Sequence, residues 1–143
     1  MRVKEKKIMM FDGGERAFST TTLETIGRAV CAVLQRSEET GNKVLRIQDT
    51  SVTLNRLLEM GKKAVGEEGW CVDGVKVENM LESAWEGYRA GKRDLGTMLG
   101  FIQTAVWGDG YGGHFERTDN ELLGLKEMTD EELQSVVDKV ARE

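Results

Sequence analysis

The stretch Asn42-Lys43-Val44-Leu45-Arg46-Ile47-Gln48-Asp49-Thr50-Ser51-Val52-Thr53-Leu54-Asn55-Arg56-Leu57-Leu58 decides the fold class. Lys43 to Gln48 alternates, and a period of two predicts a strand with Leu45 and Ile47 facing inward. Asp49, Thr50, Ser51 and Thr53 follow. Their side-chain oxygens suit the free N–H groups of a helix start. Beyond them Leu54, Leu57, Leu58, Gly61 and Val65 share one helical face. A strand running straight into an amphipathic helix predicts an α/β chain.

The flanks repeat the pattern. Lys7-Ile8-Met9-Met10-Phe11 is a short apolar run ended by Asp12-Gly13-Gly14, a strand entering a turn. Ser19 to Thr22 is a hydroxyl cluster fit to cap a helix over Thr21–Arg36, with Leu23, Ile26, Val30, Val33 and Leu34 as its apolar face. Gly41-Asn42 breaks that helix. Trp70 to Val75 reads as a strand interrupted at Gly74. Val77, Met80, Leu81, Ala84, Trp85 and Tyr88 follow i, i+3, i+4, i+7, i+8, i+11, which predicts a helix with this stripe, Trp85 and Met80 included, in the core. Leu95, Met98, Leu99, Ile102, Ala105 and Val106 make a fourth helix. Thr129 with Glu132 forms a capping box for the last one, whose buried face is Leu133, Val136, Val137 and Val140. About five helices and two or three short strands make an incomplete sheet, too few strands for a doubly wound fold.

Composition narrows the function classes. The chain has 143 residues and a formal charge of −5. A length of this order fits one domain. The net acidity points away from nucleic acid, whose phosphates need clustered Lys and Arg. No apolar run approaches the ~20 residues of a membrane span. The basic start, Arg2, Lys4, Lys6 and Lys7, precedes an apolar stretch too short for a signal-peptide core. Two cysteines, 40 positions apart, match neither a disulfide framework nor a metal spacing. Cys31 reads as a small core residue among Val30, Ala32 and Val33. A reducing, cytoplasmic setting is expected. Proline is absent and glycine numbers 17, so turns must be made with Gly, Asn and Asp.

The densest chemistry lies in Trp107-Gly108-Asp109-Gly110-Tyr111-Gly112-Gly113-His114-Phe115. The glycines resemble a dinucleotide fingerprint, but that fingerprint follows a strand and opens a helix, whereas this loop follows a helix. No Walker motif or nucleophile elbow is present. His114 is the single histidine, which excludes a His-based metal site. It is read either as a pocket residue or proton donor, or as a hydrogen-bonded structural histidine beneath the loop. Trp107, Tyr111, His114 and Phe115 together suit an aromatic-lined pocket with polar tips, or a loop pinned to the core by its rings.

The order of segments resembles a known family. Phe18 to Val30 is similar to the segment by which isoflavone-reductase-like, or NmrA-like, proteins enter their C-terminal half, with fungal members the nearest. Asn42 to Thr50, followed by Val52 to Leu58, resembles the family's late strand and next helix. Val106 to Glu116 resembles the loop that helps close its substrate pocket. Asn120-Glu121-Leu122-Leu123-Gly124, Thr129 and the final helix also match. The resemblance implies the C-terminal portion of an NmrA-like, Rossmann-type protein. Residues 1–143 would be a single substrate-binding half, without the N-terminal dinucleotide-binding half that carries the family's glycine-rich loop and catalytic lysine. The implied function is the substrate-binding part of an NAD(P)H-dependent oxidoreductase acting on a small aromatic molecule, inactive alone, with NADP as the family's cofactor. Trp107, Tyr111, His114 and Phe115 are the implied substrate-pocket lining, and no catalytic, cofactor or metal residue is carried over. The alternative is a non-catalytic small-molecule or protein-binding module derived from that family. The strands at Lys7 and Lys43 would leave open edges and an exposed apolar face. The chain is therefore expected to self-associate or to rely on a partner such as a Rossmann domain.

Overall fold

The computed structural model describes residues Met1–Glu143. In chain order it runs β1 (Lys7–Phe11), β2 (Phe18–Thr20), α1 (Leu23–Gln35), the single turn α2 (Ser37–Thr40) and β3 (Thr50–Val52). It continues through α3 (Leu54–Val65), β4 (Cys71–Val75), α4 (Val77–Arg89), α5 (Leu95–Trp107) and α6 (Asp130–Arg142). Four helix starts are closed by their own side chains. Thr22, Thr53, Asp94 and Thr129 each accept the N–H three residues on. At Thr129 the predicted capping box is complete, with Glu132 accepting the Thr129 N–H at 2.8 Å.

The architecture is α/β with two incomplete sheets. β1 pairs in parallel with β4, from Lys7 opposite Cys71 to Phe11 opposite Val75. Strand alternation turns Ile8 and Met10 into the core, while Lys7 and Met9 are exposed. Ile8, Met10, Phe11, Leu54, Met60, Leu133 and Val137 are buried in one cluster that joins β1, α3 and α6. Burial of that apolar surface is the main stabilising term. β2 pairs antiparallel with β3, Phe18 opposite Val52. A second, smaller cluster of Ala29, Leu123 and Leu125 lies under α1. α4 and α5 form a hairpin at close quarters. A Cβ at Gly100 would stand 2.8 Å from that of Ala84, so only glycine permits this approach.

Several sequence expectations are corrected. Lys43 to Gln48 is not a strand. Leu45 and Ile47 do pack inward on the second cluster, but the backbone is held by loop side chains rather than a ladder. The Arg46 N–H donates to the Asp119 carboxylate at 2.7 Å, and Asn120 both accepts from Gln48 N–H at 3.1 Å and donates to Gln48 O at 2.7 Å. The strand lies just downstream, as β3. The predicted inward face of α1 is largely turned out. Leu23, Ile26, Val30 and Leu34 are 86%, 42%, 53% and 73% exposed, and Thr25 and Ala29 are buried instead. Trp85 and Tyr88 are exposed on α4 rather than central to the core, and Cys31 is exposed. In each case the periodicity finds an apolar face correctly, but not which element that face meets.

Candidate functional site

The β1–β4 sheet has only two strands, and Met9 and Val72 on it are exposed. Parallel sheets ordinarily have both faces buried. Here α5 returns across one end and delivers Trp107 to it. The Trp107 and Phe11 rings stack with centroids 4.2 Å apart and planes at 17°, and Phe18 meets Trp107 edge-on at 5.6 Å. Both geometries suit the ring quadrupoles. Beside this pair lies a cavity of about 290 Å³. Its apolar wall includes Ile8, Met9, Phe11, Leu54 and Trp107, and Arg2, Lys7, Asp73 and Gln103 stand at its polar side. An apolar, ring-walled cavity with a few polar groups is what a small aromatic molecule requires. The Trp107 Nε1–H is buried without an acceptor. Such an orphan donor costs about 1–3 kcal/mol.

The glycine loop leaves α5 at Trp107 and folds back against it. A Cβ at Gly113 would lie 2.0 Å from the Val106 carbonyl oxygen, so this position admits no side chain. The Ser19 N–H donates to Gly113 O at 2.9 Å, and the Phe115 N–H donates to Ser19 Oγ at 2.8 Å. Ser19 Oγ in turn donates to Gln48 Oε1 at 2.7 Å. The loop is therefore tied to β2. Of the four ring residues singled out in the sequence, only Trp107 reaches the cavity. Tyr111 is exposed, its ring lying against Gly108. His114 is exposed and lines a separate shallow cleft of about 310 Å³ with Arg16, Gly108 and Glu116. Phe115 is half-buried. Phe11 and Phe18, which complete the ring cluster, were read only as strand or flanking residues. Phe11 ends a predicted strand and Phe18 carries no structural signal of its own in the sequence, and neither says which helix returns to them.

There is no group of three or more His, Cys, Asp or Glu side chains placed to hold a metal ion. The glycine loop opens no helix. Helix N-termini attract phosphate, yet four of the five long helices here already carry a carboxylate. Asp49 accepts the Thr22 N–H before α1, and Asp12 accepts the Val77 N–H of α4 at 3.4 Å. Asp94 caps α5, and Glu132 caps α6. The Thr97 N–H, followed by its hydroxyl, holds the Asp94 carboxyl below its usual range, so this end stays charged.

No helix is long and apolar enough to cross a membrane. No protein-family model matches the chain, and no solved structure does. Two curated fungal proteins are similar to it. "Oxidoreductase poxI" of Penicillium oxalicum is 28% identical in an alignment of 130 residues that covers 87% of this chain and 40% of that protein. "Oxidoreductase aprR" of Aspergillus flavus is 32% identical over 126 residues, 86% of this chain and 41% of that protein. The chain thus resembles part of proteins named as oxidoreductases and spans about 40% of their length.

Proposed function

We propose that this chain is the substrate-binding portion of an NAD(P)H-dependent oxidoreductase of the NmrA-like, isoflavone-reductase-like type, taking a small aromatic molecule in the cavity beside Trp107. The observation that carries the reading is the stacked Phe11–Trp107 pair walling a cavity beside β1. The similarity to oxidoreductases over most of the chain supports the reaction class. Tyr111, His114 and Phe115 belong to the loop that starts at Trp107 and stand outside this cavity, His114 in the separate cleft beside Arg16 and Glu116. The nicotinamide dinucleotide, NADP in this reading, is held by polypeptide outside these residues, and the protein works in the cytoplasm. Alone, the chain binds substrate and transfers no hydride.

The test is titration of the 15N-labelled chain with benzaldehyde, coumarin and 2-naphthol, following the indole resonances of its three tryptophans. The Trp107 resonance is expected to shift while those of Trp70 and Trp85 stay in place, with or without NADPH. No movement of Trp107 across the panel, or equal movement of all three, overturns the assignment.

A second reading, a non-catalytic binding module derived from the same family, is favoured by the carboxylates at the helix N-termini. The two part when the chain replaces the matching 130 residues of the Penicillium poxI protein. An oxidoreductase portion supports aromatic-dependent NADPH oxidation there, and a binding module does not.

A further inference from the structure

We infer that the cavity beside Trp107 takes an aromatic α-amino acid as its zwitterion, with the ring against Phe11 and Trp107, the carboxylate at Lys7 and the ammonium at Asp73. The inference rests on the reading of this cavity as the aromatic site. Alternate residues along a strand share a face, and so do residues opposite one another in a pair. Lys7, Met9 and Phe11 therefore lie on one face of β1, and Asp73, opposite Met9, lies on the same face of β4. All four line the cavity. It is thus polarised along the strand, with a cation at one end, stacked rings at the other and a carboxylate between them.

The charges select the ligand. Lys7 and Asp73 line one cavity, yet neither forms an ion pair with the other or with any other residue. Asp73 Oδ1 has only the weak Cys71 thiol donor, at 3.5 Å. Arg2, the other cation of the lining, is engaged by Glu5 at 3.2 Å. The rungs of Lys7 and Asp73 are two residues apart, about 6.6 Å. An aromatic acid would carry its carboxylate to Lys7 and set it beside that of Asp73. An aromatic amine would carry its ammonium to Asp73 and set it beside Lys7. Like charges so placed repel. An α-amino acid holds both charges on one carbon and meets both groups at once. Phe11 lies a further two residues along the strand, a distance suited to a ring carried on one methylene. The volume of about 290 Å³ is at the small end for ligand pockets, which fits a molecule of this size.

The test follows the Trp107 indole resonance of the 15N-labelled chain through titrations with L-phenylalanine, 3-phenylpropanoate, 2-phenylethylamine and 2-naphthol. L-phenylalanine should bind about fivefold more tightly than either singly charged analogue, the factor that one partly exposed ion pair supplies. Lys7→Gln and Asp73→Asn should each weaken L-phenylalanine by a similar factor and leave 2-naphthol unchanged, which also shows that the variants are folded. Analogues that bind as tightly as L-phenylalanine to the parent chain overturn the inference, whatever the variants do. So do variants that bind L-phenylalanine like the parent. If 2-naphthol moves Trp107 and L-phenylalanine does not, the inference falls and the aromatic site stands. If no ligand moves Trp107, both fall.

Discussion

Trp107 is held by two opposing demands. Its ring is stacked on Phe11 and wedged by Phe18, which rewards a large flat side chain. Its Nε1–H is buried with no acceptor, which penalises the indole. The balance separates two substitutions. Trp107→Phe keeps a stacking ring and removes the orphan donor, and should fall within about 1 kcal/mol of the parent in urea unfolding. Trp107→Ala opens a void and should cost about 3–5 kcal/mol. Equal losses for the two would mean that a stacking ring by itself contributes nothing at this position and that removing the buried N–H brings no relief. Loop glycine Gly113 is another residue under tight constraint, since the Val106 carbonyl occupies the space of any side chain.

At the scale of elements, α4 and α5 differ from the rest. They pack on each other through Ala84, Gly87, Thr97 and Gly100, and only their roots, Val77, Met80, Val106 and Trp107, join the main core. The tip around Gly91 meets no such cluster. Local opening follows low contact density. Amide exchange should therefore be faster from Glu86 to Thr97 than in β1, α3 and α6, and uniform protection across all helices would contradict this picture. The long helices were legible because caps and apolar spacing are local properties. Thr129 with Glu132 marks its helix start in sequence, while the hydroxyl clusters Ser19–Thr22 and Asp49–Thr53 mark theirs to within a few residues, the caps proving to be Thr22 and Thr53. The strands were less so, because pairing is non-local. Nothing in Phe18-Ser19-Thr20 reveals that it meets Thr50-Ser51-Val52, and nothing in Lys43–Gln48 reveals that side chains from Asp119 and Asn120 take the place of a neighbouring strand. The site was legible to the same extent. Aromatic density pointed to Trp107, but its partners Phe11 and Phe18 are set by the return of α5, a tertiary event.

At the scale of the whole molecule, the clasp between Arg46–Asp49 and Asp119–Met128 closes a large excursion of the chain. Arg46 and Asp119 are 73 positions apart, and the Met128 N–H donates to Asp49 O at 2.6 Å. Everything from β3 through α5 lies inside that closure. Asn120→Ala removes both of its bonds to Gln48, which are buried. The expected loss is about 2–3 kcal/mol. In stopped-flow experiments it should appear almost entirely as faster unfolding, with the refolding rate unchanged. A slowed refolding rate would place the clasp in the nucleus instead. The physical reason is that helices assemble from near neighbours in microseconds, while ends separated by some seventy residues must first meet. The clasp is thus the last knot tied, made after the barrier is crossed, so it sets how long the folded chain survives and not how fast it forms.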